Sequence, residues 1–195
     1  MKTKEETLKD GTVVQIRSLT ARDLDRLMEF YRDLPPEDRR YLKFDVTDRE
    51  VVRERIRRMR GGHLVRVVAV IDDEIVGDGV LEFPEEGWKR DQVEMRVIVA
   101  HGCQHRGLGT LLMRELYLLA VAKGVHKIVA KIMRPQHVAI AIAHKLGFRE
   151  QALLPDWVRD VRGQSQDLVV LVADIKEMWH ELEWLYKDQD MGRWQ

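Results

Sequence analysis

The spacing of apolar residues changes character about halfway along the chain. "TVVQIRSL" (Thr12–Leu19) alternates with period two, as a half-buried strand does. The next stretch, "TARDLDRLMEFYRDLPP", shifts to helical spacing, with Leu24, Leu27, Met28 and Tyr31 on one face. Thr20 is its expected N-cap, and Pro35-Pro36 stop it. A second helix is predicted over Asp48–Arg60, capped by Thr47 and ended by Gly61-Gly62, with Val52, Ile56 and Met59 as its apolar stripe. "HLVRVVAV", the turn "IDDE" and "IVGDGVLEF" form an antiparallel hairpin, the second and third expected strands. Pro84 to Arg90 is a loop, and "QVEMRVIV" (Gln92–Val99) is the fourth strand.

From there strands and helices alternate. A helix from about Leu108 to Lys123 ends at Gly124, "KIVAKIM" is the fifth strand, and "PQHVAIAIAHKLG" is a short helix. "FREQALL" and "DLVVLVADI" are the sixth and seventh strands. Alternation confined to the second half predicts an α/β (α+β) fold with a mixed, mostly antiparallel seven-stranded sheet flanked by helices. No repeat or linker divides the sequence, so one domain is expected over residues 1–195, with a core of about 13–173 and a C-terminal helix of about 175–188. Ile175, Met178, Trp179, Leu182, Leu185 and Tyr186 share a stripe of that helix. Trp184 falls off it and, with Trp194, points to a partner or homodimer contact.

Composition narrows the classes of function. Lys+Arg 33 balance Asp+Glu 33, which gives no electrostatic case for nucleic acid or an anionic membrane. Cys103 is the only cysteine, so no internal disulfide forms. The charged start "MKTKEETLKDG" lacks the apolar core of a signal peptide, and no apolar run nears the roughly 20 residues that span a bilayer. A cytoplasmic protein is expected.

The distinctive segment is "VIVAHGCQHRGLGTLLMRELYLLA", a strand running into a glycine-rich loop that opens a helix. Bare backbone at a helix start suits a phosphate, because its N–H groups are free and the helix dipole is positive there. Gly102 and Gly107 have the spacing of a nucleoside-triphosphate loop, but Leu108 and Gly109 follow instead of Lys and Ser/Thr. A dinucleotide fingerprint starting at Gly107 puts Leu112 where its third glycine belongs, and Lys131 stands near the place of the acidic ribose partner. What survives is Gln104-x-x-Gly107-x-Gly109 between a strand and a helix.

That loop resembles the pyrophosphate loop of the GNAT family of N-acetyltransferases, Q/R-x-x-G-x-G/A. The family's next signature is an Asn, an Ala three positions on, an aliphatic–Tyr pair and Lys-x-Gly-Phe. It is echoed by Gln136, Ala139, Ile142-Ala143, Lys145, Gly147 and Phe148. The likeness covers about Val13 to Ala173, and "PPEDRRYLKF" is similar to the opening of the acetyltransferase domain of bacterial protein-lysine acetyltransferases. The resemblance implies acetyl-CoA as co-substrate. Backbone N–H groups of Gln104, His105, Arg106, Gly107, Leu108, Gly109 and Thr110 would hold its pyrophosphate, with the Arg106 side chain as a charged arm to a phosphate and Gln136 in the position of the family's Asn. Freed backbone at Val97, Ile98 and Val99 would pair with the pantetheine arm and polarise the thioester carbonyl.

The acceptor implied is a primary amine, with a protein lysine the first choice. A small-molecule amine is the enzyme alternative, and a non-catalytic acyl-CoA-binding regulatory module is the other. An amine of pKa about 10.4 arrives protonated, so a carboxylate base is needed. Glu94 is that candidate, because similar enzymes carry a Glu there; Glu82 is the second, and either can instead be a solvated strand residue. The family's usual general acid, a Tyr, falls on Ala143. No metal is expected: His101, Cys103 and His105 alternate in poor ligand geometry. Cys103 as an acyl carrier is less economical than direct transfer. The arginines of the second helix read as a solvated basic face, or as a border of the acceptor groove that suits an acidic partner.

Overall fold

The computed structural model describes residues 2–84, 87–175 and 183. Eight strands form one sheet: β1 (Lys4–Thr7), β2 (Val13–Ser18), β3 (Leu64–Ile71), β4 (Glu74–Glu82), β5 (Gln92–Val99), β6 (Lys127–Met133), β7 (Arg149–Arg159) and β8 (Ser165–Asp174). Their spatial order is β1-β2-β3-β4-β5-β6-β8-β7. Every neighbouring pair is antiparallel except β5 and β6. The helices are α1 (Leu24–Asp33), a single turn α2 (Pro36–Arg39), α3 (Arg49–Arg58), α4 (Leu108–Ala122) and α5 (His137–Lys145).

The sheet has one strand more than the alternation predicts. β1 is the charged segment "KEET", which carries no apolar alternation to read. Ion pairs hold it instead: the Lys4 ammonium donates to Glu115 Oε2 at 2.6 Å, and Arg114 bonds Glu6. Glu115 is buried in α4, so β1 supplies the cation that a buried carboxylate requires. β7 also outruns its expected end at Leu154 and passes through Pro155. It lies at the edge of the sheet, where a missing N–H costs no ladder bond. Asp48, not Thr47, caps α3, accepting from the amides of Glu50 and Val51. The helix expected over about 175–188 falls, apart from Ile175 and residue 183, outside the described residues.

Two apolar layers sandwich the sheet. On one face α4 packs on Leu81, Val93 and Met95 through Leu112 and Leu116. It lies so close to β4 that a Cβ at Gly77 would stand 2.8 Å from Leu112 Cδ1. On the other face Leu27, Tyr31, Val52 and Ile56 of α1 and α3 cover Val68, Val70 and Ile75. Buried within this second layer, Arg66 forks onto Asp78 (3.0 and 2.9 Å), and the Tyr31 hydroxyl donates to the same carboxylate at 2.8 Å. Burial and the neighbouring Asp78 anion both push the Tyr31 hydroxyl well above its ordinary pKa, keeping it neutral. None of the helices described is long and apolar enough to cross a membrane.

Candidate active site

The candidate site starts with a parting of two strands. β5 pairs with β4 from Glu94 opposite Glu82 to Val99 opposite Gly77. On its other side it pairs with β6 only at Gln92, Val93 and Glu94, opposite Lys127, Ile128 and Val129. β6 continues along β8 to Met133. From Met95 onward β5 therefore presents one edge without a ladder partner, lining a V-shaped opening whose apex is Glu94. A free strand edge is a ready template for an extended ligand with amide groups. Val97, Ile98 and Val99 line it. Val97 and Val99 lean to the α4 layer and Ile98 to the α1/α3 layer, as strand alternation requires.

At the wide end the chain leaves β5 and makes the glycine loop. Gln104 Nε2 turns back towards the Val99 carbonyl at 3.4 Å. His105 (φ 62°) and Gly107 (φ 87°) are both left-handed, and Gly107 is the N-cap of α4. This reverses the backbone into the start of α4, whose first amides, at Leu108, Gly109 and Thr110, have no carbonyl of their own helix to bond. Leu108 anchors the turn with a buried side chain.

Gly109 is informative because the protein gives no reason for it. A Cβ there would meet only Val99 Cγ2, at an ordinary 3.8 Å. Glycine is a poorer helix former than alanine, and no contact within the protein requires one here. A phosphate held by helix-start amides would suit the bare backbone. Arg106 pairs with Asp10 at 2.9 Å, and its carbonyl accepts from the Lys9 amide, so the N-terminal hairpin is stitched to this loop. Across the opening, beyond the end of β6, Gln136 caps α5 and its Oε1 accepts from the Met133 amide at 3.2 Å. Ala143 is buried in the core, so the position of the family's general acid offers no titratable group.

The apex is built from side chains. Glu82 and Glu94, the two candidate bases, stand directly opposite each other on neighbouring strands. The Lys43 ammonium joins them, donating to Glu94 Oε1 at 3.0 Å and Glu82 Oε2 at 3.2 Å. Lys131, on β6 just past the parting, donates to Glu94 Oε2 at 2.9 Å. Glu82 also receives Arg55 at 3.0 Å and Arg58 at 3.4 Å. Burial pushes the Glu94 carboxyl up, but Lys131 and Lys43 outweigh it and hold it below the ordinary carboxylate range. Glu82 is lowered in the same way by Lys43 and Arg55 against its burial.

Two residues along β5 from Glu94, Arg96 lies over the Phe44 ring at 5.6 Å, with Arg55 over the same ring at 4.5 Å. The arginines of α3 are mostly committed to the protein itself. Arg55 and Arg58 go to Glu82, Arg49 to Asp25, Arg53 to Glu50 and Arg57 to Glu54. The face expected to be solvated is thus in part a wall of the site. Lys43 and Phe44 lie in "PPEDRRYLKF", the stretch similar to bacterial protein-lysine acetyltransferases, but neither they nor Lys131 stand out in the sequence as site residues. Lys131 is the only polar residue of "KIVAKIM" besides its first, Lys127, and Lys43 lies 51 residues from its partner Glu94.

The model of the Acetyltransferase (GNAT) family matches residues 24–148. The chain belongs to the GNAT acetyltransferase family. It is thus an acyl-CoA-dependent N-acyltransferase, as the loop at Gln104–Gly109 implied. The GNAT domain of S. lividans PAT is similar at 19% identity and TM-score 0.71, covering 88% of this chain and 96% of that one. Mycobacterium smegmatis RimJ in complex with CoA-disulfide gives 18% identity and TM-score 0.74, with 92% of each chain covered. The yncA protein of Salmonella typhimurium, a putative acetyltransferase with acetyl-CoA, gives 22% and 0.70, covering 83% and 94%. These likenesses bear out the fold, including the mixed sheet. No curated protein matches significantly.

Proposed function

We propose that this GNAT enzyme transfers an acetyl group from acetyl-CoA directly to the ε-amine of a protein lysine, with Glu94 as general base. Acetyl-CoA supplies the activated acyl group. The amides of 104–110 would receive its pyrophosphate, and the free edge at Val97–Val99 would pair with the pantetheine arm and polarise the carbonyl. Glu94, at the apex, takes the proton that the amine must lose. With Ala143 in the acid's place, the sulfur leaves as a thiolate, which at a thiol pKa of about 8.5 needs little help near neutral pH.

The observation that carries a lysine acceptor is that Glu94 already hydrogen-bonds two lysine ammonium groups, at 3.0 and 2.9 Å. An amine on a long, slender stem is the chemistry this carboxylate accommodates. The test is acetyl-CoA binding by calorimetry, followed by thiol release with lysine peptides and small amines. Turnover on lysine peptides supports the reading. Turnover only on small amines moves the acceptor to a metabolite, and binding without turnover on any amine makes the protein an acyl-CoA sensor.

A further inference from the structure

Residues 40–48, between α2 and α3, form neither helix nor strand, yet two consecutive side chains from this segment track the floor of the cleft. Lys43 lies on Glu94 and Phe44 lies under Arg96, so the segment runs along the acceptor face of β5 from the apex towards Val97. We propose that Lys43 is itself an acetylation site, modified within its own molecule by the bound acetyl donor. The inference rests on the transferase reading above and deepens it.

The chemistry is that of the proposed acceptor, with the acceptor supplied by the chain. The Lys43 ammonium gives a proton to Glu94 Oε1, its partner at 3.0 Å. The freed Nζ lone pair forms the N–C bond to the acyl carbon, the thioester C–S bond breaks, and the electron pair leaves on the CoA sulfur as thiolate. The remaining excess proton on nitrogen passes to solvent. No oxidant or further reactant is needed. From Glu94 to Val97 is three residues, roughly 10 Å of strand. A lysine stem covers much of that distance, and the irregular segment supplies the rest.

Lys131 shares Glu94, but its backbone is fixed in β6 opposite Val170 of β8, so it cannot translate towards the acyl site in this way. Acetylation would also cancel the charge that joins Glu82 to Glu94, releasing both carboxylates from Lys43.

The experiment incubates the full chain with isotope-labelled acetyl-CoA and reads each lysine by peptide mass spectrometry. The result expected is first-order labelling of Lys43, at a rate unchanged by diluting the protein. It should run well ahead of the exposed Lys9 and Lys89 and fall at least about tenfold in Glu94→Gln. Labelling of Lys43 no faster than Lys89, labelling concentrated on Lys131, or a rate proportional to protein concentration would each overturn it.

A readout without acetyl-CoA is the carboxyl titration of Glu94 by NMR. Its midpoint should rise in Lys43→Met, and an unmoved midpoint removes the contact on which the inference stands. Turnover of external amines with no label on Lys43 defeats this inference alone. If neither acetyl-CoA binding nor any turnover is seen, the transferase reading and this inference fail together.

Discussion

The wide end and the apex of the cleft solve opposite problems with opposite materials. In the proposed mechanism the binding groups at the wide end are amides, set by one continuous segment from Val99 to Thr110, and the side chains mostly stay out of the way. At the apex the working groups are side chains from β4, β5, β6, α3 and the 40–48 segment, all meeting at two carboxylates. A pyrophosphate looks the same in every reaction, so a fixed backbone nest serves it. An acceptor differs from enzyme to enzyme, and side chains can be exchanged without refolding the sheet. Breaking the comparison means showing that either end depends on the other.

The largest effect expected is at the apex. Glu94→Gln keeps the shape and the hydrogen-bonding capacity but cannot take a proton. Acyl transfer should fall about 10²-fold or more, while acetyl-CoA affinity in calorimetry stays unchanged. A matching loss of affinity would mean that the two ends are not separate.

Next comes the wide end, where two glycines make a contrast. Gly107→Ala puts an L residue at φ 87°, a strain of about 1–2 kcal/mol, so both folding stability and acetyl-CoA affinity should drop. Gly109→Ala has no such strain and adds a better helix former, so thermal stability should rise slightly while acetyl-CoA affinity falls about tenfold. If affinity follows stability in both variants, no ligand lies against Gly109.

The same contrast governs what the sequence alone discloses. The loop at Gln104–Gly109 is a local pattern: strand, glycines and helix are consecutive, so its role is legible from the residue order. Glu94 is legible only by its offset from that loop. Its partners are not, because Lys43 arrives from a segment without regular structure, and nothing in "RRYLKF" says which strand it will cross. β1 escapes for a related reason. Hydrophobic alternation detects strands that bury apolar groups, whereas Lys4 and Glu6 are held by charges on a helix more than 100 residues away. Thr47 and Asp48 are both good caps, and only the backbone decides between them.

A smaller effect tests how the apex is tuned. Lys43→Gln removes one of the two cations that hold the Glu94 carboxyl low, so its pKa should rise towards the ordinary value. A base works only when deprotonated, so the acid limb of kcat/KM should move to higher pH, and the variant should lose activity first as pH falls. Above that limb the stronger base should keep or raise the rate. An acid limb that stays in place would show that Glu94 is not the titrating group in that limb.

The smallest effect returns to the wide end and asks whether charge adds anything to its amides. Arg106 is half exposed and paired with Asp10, so in this arrangement its guanidinium is shared with a carboxylate, not reserved for a phosphate. Asp10→Asn keeps an oxygen for the Thr12 amide, which Asp10 Oδ1 accepts at 3.1 Å, while removing a negative charge beside the loop. Acetyl-CoA should bind tighter by roughly two- to threefold at low salt, the scale of an exposed ion pair. The gain should vanish at high ionic strength, where exposed charges are screened. A backbone nest that works without help from Arg106 predicts no change at any salt concentration, and Asp10→Asn against salt separates the two.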